Sequence, residues 1–286
     1  MKSNFLGIFV LANLLLIFSC AEKAKKESAK EEMMTEKMVV EPVYDTNNLN
    51  SVFVAMEHAH GGWDNLYSKK DVQYTYRYHN PAANKTDLST ERYIFSNEAS
   101  YGKYTQHEIN VMPGKEGVVE QCFDGEVTKV MVDGKVSEDP QNIGMGDFLR
   151  RANFFWFVMP YKLNDSGTIS EYIGQEDFEG KTYDKVLVTY DPEVTGKEQN
   201  DTYILFIDPE TKMASRFLFS LPALGVNEPI LIANYDYNNV GGQMIATKRT
   251  YFLPNEKGEF TEEPSLVQTL TDISFDNGFT VENIMQ

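Results

Sequence analysis

The amino-acid sequence predicts a mostly-β domain of the α+β class, built on an antiparallel sheet with two helices. The segment VQYTYRY, residues 72–78, alternates strictly, with valine and tyrosines on one face and polar residues on the other, as in a half-buried strand. Two Asp-Gly pairs, at 124–125 and 133–134, are nine residues apart, which is typical of turns in an antiparallel meander. An apolar run before a proline, at residues 154–159, falls in the second helix.

Three later segments complete the predicted sheet. Residues 201–221 are expected to form a hairpin around Asp208-Pro209, and residues 242–252 and 266–275 two late strands. A mostly-β chain of this length is commonly one domain. We therefore expect residues 49–286 to form a single domain.

The two predicted helices have recognisable ends. The first lies near Ser51–His60 and is followed by a Gly-Gly pair that can stop it. The second lies near Phe148–Val158, with Asp147 as its N-cap and Pro160 forcing its end. Both are expected to pack on the sheet.

The second helix carries apolar residues on every side of its last turn, at Phe154–Met159. A helix lying on a sheet needs only one apolar stripe. Two interpretations stay open: the segment is ordinary buried core between sheet and loop, or one side of it forms the wall of an apolar pocket of about 300 Å³ or more. The candidate ligand-binding residues, the last three at the polar mouth, are Phe155, Trp156, Met159, Tyr161, Arg151 and Lys162.

The start of the chain predicts export and anchoring. One basic residue, Lys2, precedes an apolar block that ends in IFSC, as in a secretory signal. IFSC resembles a bacterial lipobox, which implies a signal peptide over residues 1–19 and lipidation of Cys20; an ordinary signal peptide that ends near a cysteine is the alternative. Residues 20–48, rich in Lys, Glu and Ala at their start, are expected to be a flexible tether.

Charge and cysteine content restrict the partners. The chain has 26 Lys and Arg against 43 Asp and Glu, a net charge of −17, so nucleic acid and anionic head groups should repel it. Membrane contact is therefore expected through the lipid anchor, and no protein partner can be named. With Cys20 lipidated, Cys122 has no disulfide partner and is expected to be a small buried apolar residue.

No catalytic constellation is found, so we predict neither an enzyme nor a cofactor. The best cluster for a metal is His58-Ala59-His60, but side chains two apart on a helix point to different faces. We expect His58 to be exposed and His60 to pack beside the Gly-Gly pair, with no metal bound. The sequence also contains no Gly-x-Ser-x-Gly nucleophile elbow.

Several motifs together carry a family resemblance. HAHGGWDNL, FFWFVMPYKLNDSGT, GQEDFEGKTYDKVLVTYD and DTYILFIDPETKMASRFLF resemble an uncharacterised bacterial lipoprotein family of unknown function, which in turn resembles the periplasmic lipoprotein carriers LolA and LolB. The resemblance implies an antiparallel sheet curved into a half-open barrel, with helices packed on or across it and an apolar interior that holds acyl chains. A shared fold does not by itself establish a carrier function.

Two functions are expected from these observations. The first is a lipid-anchored protein of the cell envelope, in the outer membrane on its periplasmic side or at the cell surface, that binds a lipid or a lipoprotein acyl chain in the half-barrel. The alternative is a structural or partner-binding envelope lipoprotein whose barrel is filled by its own side chains. A ligand cavity beside Trp156 would separate the two.

Overall fold

Thirteen antiparallel strands form one open sheet in the computed structural model, which describes residues 41–255, 259–260 and 262–286. The predicted signal peptide, Cys20 and the first part of the tether lie outside the described residues. Residues Pro42–Gln286 form one compact unit. Within the described ranges, no helix combines the length and the apolar character needed to cross a bilayer.

The helices and strands follow each other in a simple order. The helices are α1 (Leu49–Ala59), α2 (Trp63–Ser68), α3 (Pro140–Lys162) and α4 (Pro192–Thr195), with a 3₁₀ turn at Pro222–Leu224. The strands are β1 (Asp71–Asn80), β2 (Lys85–Ile94), β3 (Ala99–His107), β4 (Val119–Phe123), β5 (Thr128–Val132), β6 (Lys135–Val136), β7 (Thr168–Phe178), β8 (Lys181–Tyr190), β9 (Tyr203–Ile207), β10 (Ala214–Leu221), β11 (Val226–Val240), β12 (Gln243–Phe252) and β13 (Leu266–Phe275).

The sheet consists of two meanders joined in its middle. Its order is β6-β5-β4-β3-β2-β1-β13-β12-β11-β10-β9-β8-β7. We call β1–β6 the first meander and β7–β13 the second; within each, neighbouring strands are consecutive in the chain. The two meanders meet where β1 pairs with β13, for example at Tyr76 opposite Leu270. The predicted mostly-β antiparallel architecture is confirmed.

The predicted turns form where the sequence places them. Asp133 and Gly134 both have positive φ angles, 48° and 74°, and connect β5 to β6, as a two-residue hairpin turn requires. Between β4 and β5, the carboxylate of Asp124 accepts the backbone N–H groups of Glu126 and Val127 at 2.9 and 2.8 Å. Acidic side chains therefore stabilise the first meander at its turns.

Helix α3 is longer than the sequence suggested, and both predicted ends are wrong. It begins after Asp139, whose carboxylate accepts the N–H of Gln141 at 2.9 Å, and Pro140 is its first residue. An N-cap followed by proline starts a helix more strongly than Asp147 can inside it. Pro160 lies within the last turn. A proline there removes one backbone hydrogen bond, and burial of this turn in the core keeps it helical.

Helix α3 crosses the face of the sheet that we call the inner face. Its Phe157 stacks on Tyr74 of the first meander, with ring centroids 5.3 Å apart. Its Trp156 stacks on Phe217 of the second meander at 5.9 Å. The helix therefore carries apolar residues on opposite sides because the curved sheet contacts it from both sides.

The start of α3 approaches the first meander closely. A Cβ atom at Gly146 would lie 2.6 Å from Cγ2 of Val130 on β5, whereas one at Gly144 would meet nothing within 4 Å. Glycine at position 146 therefore lets the helix backbone lie against the sheet. A side chain at position 146 would therefore clash with the sheet, whereas one at position 144 would not.

The described residues before α1 lie against the second meander. Tyr44 donates its hydroxyl to one carboxylate oxygen of Asp184 at 2.8 Å, and the other oxygen accepts from Tyr172 and Gln175 at 2.9 and 3.0 Å. Asp184 is buried. Residues 42–48, which the sequence assigns to the tether, thus belong to the compact unit.

Candidate functional site

A cleft of about 280 Å³ opens beside the C-terminal half of α3. It also touches the end of β8, α4 with the loop that follows, and the start of β9. The lining residues are Glu98, Phe155, Lys162, Asp165, Tyr190, Thr195, Lys197, Asn200, Asp201 and Tyr203. Its volume is close to the size expected for a small-ligand pocket.

Three aromatic side chains provide the apolar surface of the cleft. Phe155 of α3 and Tyr203 of β9 lie with ring centroids 5.9 Å apart. The hydroxyl of Tyr190 is buried and has no hydrogen-bond partner among the described residues. Burial raises the pKa of Tyr190, so its hydroxyl stays protonated and can donate to a ligand.

The remainder of the lining is more polar than the sequence predicts. The ammonium group of Lys162 lies 2.6 Å from a carboxylate oxygen of Glu98 and 3.2 Å from one of Asp165. Burial lowers the pKa of Lys162, but these two carboxylates outweigh it and raise the pKa overall. Burial raises the pKa of the Asp201 carboxyl. An aromatic surface with charged groups around it suits an amphiphile better than a fully apolar molecule.

Trp156 and Met159, both predicted to line the pocket, pack in the apolar core of the second meander. Met159 is fully buried. Trp156 lies edge-on to Phe155 at 5.4 Å and to Phe219 at 5.3 Å. They are therefore neighbours of the cleft surface but do not line it.

Tyr161 and Arg151, both predicted to lie at the pocket mouth, lie elsewhere. The hydroxyl of Tyr161 is buried 2.6 Å from the side-chain oxygen of Gln243 and 2.8 Å from the carbonyl of His60. Arg151 is exposed and pairs with Asp147 at 3.0 Å. Of the six predicted residues, Phe155 and Lys162 line the cleft and the other four do not.

The first meander contains a buried ion pair that sequence reasoning missed. Arg150 of α3 is fully buried and donates two hydrogen bonds to Glu91 of β2, at 2.6 and 3.2 Å. It also donates to the hydroxyl of Tyr104 and to Gln121. The signal was present: Glu91 precedes Tyr93 by two residues and therefore shares the inward face of its strand.

The second meander contains a buried arginine without such a pair. Arg249 of β12 is 1% exposed, and its Nε and Nη2 have no hydrogen-bond partner within the described part of the chain. Its guanidinium lies 5.3 Å from the ring centroid of Tyr235. Arg249 precedes the inward-facing Tyr251 by two residues, so the alternation of the strand could have predicted an inward position for it.

The predicted exposure of His58 and burial of Cys122 are confirmed, and the ring of His60 packs against Tyr237. His58 is exposed and His60 is fully buried, with its Nδ1 2.7 Å from the carbonyl of Met56. Burial lowers the pKa of His60 to about 4. Cys122 is buried, and burial raises its pKa. The described residues contain no group of three or more metal-ligating side chains.

Comparison with known proteins gives one family and several similar folds. A family of unknown function, DUF6503, matches residues 62–225. The chain is similar to an outer membrane lipoprotein-sorting protein domain from Vibrio parahaemolyticus, with 11% identity, TM-score 0.48, and coverage of 82% of this chain and 94% of that chain.

It is also similar to a DUF1329 family protein from Desulfovibrio piger, with 10% identity, TM-score 0.46, and coverage of 86% of this chain and 98% of that one. A third similar structure is lipoprotein LppX from Mycobacterium tuberculosis, with 13% identity, TM-score 0.29, and coverage of 80% of this chain and 97% of that chain. With TM-scores below 0.5, these likenesses carry no inference about a ligand of this chain. No curated protein matches the chain.

Proposed function

Because the chain belongs to the family of unknown function DUF6503, its function must be inferred from its own side chains, and we propose that it is a lipid-anchored cell-envelope protein that binds an apolar or amphiphilic ligand. The ligand is a lipid or the acyl chain of a lipoprotein. The family membership agrees with the resemblance to an uncharacterised family in the sequence.

The observation that carries this proposal is the cleft beside α3. Phe155 and Tyr203 offer an apolar surface for an alkyl chain. The hydroxyl of Tyr190 and the ammonium groups of Lys162 and Lys197 lie around that surface and can donate hydrogen bonds. Binding pockets for small ligands combine these features: aromatic walls with a few polar groups that fix the orientation.

The proposed role is binding and not catalysis. Among the charged groups of the cleft, Lys162 is paired with two carboxylates, those of Glu98 and Asp165, which is a stable arrangement. Burial raises the pKa of Asp201, but no hydrogen bond among the described residues joins its carboxylate to a nucleophile or base of the cleft. The residues of the cleft hold the alkyl chain of the ligand on their aromatic side and the polar group of the ligand on their charged side.

A second candidate function is a structural or partner-binding envelope lipoprotein without a ligand. It is supported by the packing around Trp156, which contacts the rings of Phe217, Phe219 and Tyr251. These side chains occupy the inner face of the second meander next to the cleft. In this alternative the cleft remains a surface feature and the sheet interior is filled core.

Native mass spectrometry of the full-length protein purified from its natural host separates the two functions. We expect a non-covalent adduct with the mass of a lipid. Thr195→Trp, which places an indole in the cleft, should remove the adduct, whereas Glu193→Trp, on an exposed position of the same short helix outside the cleft, should retain it. A wild-type protein that is always free of adducts would favour the second function.

The anchor is tested separately from the ligand. In cells fed an alkyne-labelled fatty acid, the wild-type chain should be labelled covalently, and Cys20→Ser should abolish the label because its hydroxyl is not a substrate for thioether lipidation. Cys122→Ser is the matched control and should keep the label, since that thiol is buried. Equal labelling of wild type and Cys20→Ser would contradict lipidation at this position.

A further inference from the structure

Arg249 carries a buried positive charge that no acidic group of the described chain balances. No carboxylate in the described ranges lies within 4.0 Å of its nitrogens, and its Nε and Nη2 have no partner there. Burying a cation is strongly unfavourable unless an anion or hydrogen-bond acceptors compensate. The unbalanced charge therefore needs an explanation that the fold alone does not provide.

The groups around Arg249 are neutral. In the sheet it lies opposite Tyr235 on one side and Gln268 on the other. The hydroxyls of Tyr235 and Tyr251 lie 3.0 Å apart, and Tyr251 donates to Gln268 at 3.2 Å. Burial raises the pKa values of both tyrosines, that of Tyr251 well above its ordinary range. They therefore stay protonated and cannot act as counter-ions to Arg249.

A continuous series of ring contacts connects Arg249 to the cleft. The ring of Tyr235, over which the guanidinium lies, is 6.3 Å from that of Tyr251. Tyr251 lies 6.4 Å from Trp156, and Trp156 lies 5.4 Å from Phe155 in the cleft wall. Trp156 is held by ring contacts, and its indole N–H makes no hydrogen bond to the described residues.

We propose that Arg249 binds the acidic head group, a carboxylate or a phosphate, of an amphiphile whose alkyl chain lies along these rings towards the cleft. This inference rests on the proposed function, because it names the head group of the same ligand. A guanidinium matches carboxylate and phosphate oxygens with two parallel hydrogen bonds. The bound anion balances the buried charge.

The experiment uses full-length lipidated protein in isolated membranes. Three photoreactive probes with identical alkyl chains carry a carboxylate, a phosphate monoester or an alcohol as head group. We expect the two acidic probes to label wild-type protein with an apparent affinity about tenfold or more above that of the alcohol, which is the usual gain from a hydrogen bond to a charged group. Labelled peptides should include Phe155–Met159.

Three variants assign the preference to Arg249. Arg249→Met should abolish the preference while the alcohol still binds as in wild type, and Arg249→Lys should retain part of it. Lys248→Met is the matched control, because Lys248 is an exposed cation on the next position of the same strand; it should leave the preference unchanged. A thermal unfolding midpoint at or above that of wild type verifies that Arg249→Met is folded.

The outcomes separate this inference from the proposed function. Equal labelling of wild type by all three probes would overturn the inference that Arg249 binds an acidic head group, whether or not the variants fold. Buried water would then be the hydrogen-bond partner of Arg249. A preference that persists in Arg249→Met, or displacement of the carboxylate probe by inorganic phosphate alone, would also overturn the inference. Absence of labelling by every probe would overturn the proposed function and this inference together.

Discussion

The two meanders of the sheet each bury one arginine on the inner face, and they treat its charge in opposite ways. In the first meander, Arg150 reaches from α3 into strands β2–β4 and forms a two-point ion pair with Glu91. In the second meander, Arg249 lies among tyrosine hydroxyls and has no carboxylate within reach in the described chain. The same residue type therefore occupies two different electrostatic environments within one core.

This difference separates a buried cation that belongs to the packing of the core from one whose charge no described carboxylate balances. A buried ion pair with all of its hydrogen bonds made fixes one geometry, and removing one partner leaves the other unpaired. An unpaired buried charge does nothing for stability, and proteins keep such groups mainly where function needs them. An ion pair thus joins α3 to the first meander, whereas the second meander borders the cleft and contains a buried cation without a carboxylate partner among the described residues.

The largest expected effect is the difference in stability between two variants in which either Arg150 or Arg249 is replaced by methionine. Arg150→Met should destabilise the protein by about 3–5 kcal/mol, because it leaves Glu91 buried without a partner. Arg249→Met should cost nothing or increase stability, because it removes a buried charge that no carboxylate of the described chain pairs with. Urea unfolding of both variants, followed by circular dichroism, measures the difference in the free energy of unfolding.

A double variant tests whether the ion pair itself causes the first effect. Arg150→Met combined with Glu91→Leu should recover most of the lost stability, since both charges are then absent. If the double variant were no more stable than Arg150→Met alone, shape and not charge would dominate this contact. If Arg249→Met were as damaging as Arg150→Met, the contrast between the two meanders would be wrong.

A smaller effect is expected from pH at His60, which packs edge-on against Tyr237 of the second meander at 5.0 Å. Burial lowers the pKa of His60 to about 4, below the ordinary value of about 6.5. As pH falls below 6.5 the unfolded chain takes up this proton before the folded protein does. His60 should therefore reduce stability by about 2 kcal/mol between pH 7.5 and pH 5.

The measurement compares wild type with His60→Gln. Both proteins lose stability in acid for other reasons, so the quantity of interest is the difference between their pH slopes in urea unfolding. We expect the slope between pH 7.5 and pH 5 to be steeper in wild type. Identical slopes would mean that His60 is protonated in the folded protein or is accessible to water.

The smallest effect concerns how α3 contacts the first meander. Gly146→Ala should cost about 1 kcal/mol net, because the new methyl group would overlap Val130 and the strain exceeds the gain in helix propensity. Gly144→Ala is the matched control and should gain up to about 1 kcal/mol, since nothing lies near its Cβ position. Thermal unfolding of the two variants should move in opposite directions, and a shift in the same direction would contradict the close contact.

The alternation of strands was readable from the sequence, but the pairing of side chains across the sheet was not. Tyr74 and Tyr76 face inwards as their spacing predicts, and the turn at Asp133-Gly134 forms as its composition requires. The end of α3 was predicted wrongly, because tertiary packing outweighs the local effect of Pro160. Local sequence patterns therefore predict which helices and strands form, but not the residues at which packing in the core makes them end.

The candidate site was predicted only in part for the same reason. Phe155 and Lys162 are close in sequence and both line the cleft, but their partners Tyr190 and Tyr203 come from β8 and β9. Nothing in a single sequence indicates that these strand ends meet the helix. Arg249 is more distant still, and the absence of a carboxylate beside it among the described residues becomes visible only when its neighbours are known.

The pairing of β1 with β13 also has a consequence for how the chain folds. Every other strand pair in the described sheet joins neighbours in sequence, so each meander can assemble from short-range contacts. The pairing between the two meanders instead joins the first strand to the last, as at Val72 and Phe275, and closing so long a loop is slow. The first meander can therefore form before the rest of the sheet, whereas the pairing of β1 with β13 forms only when the last strand is available.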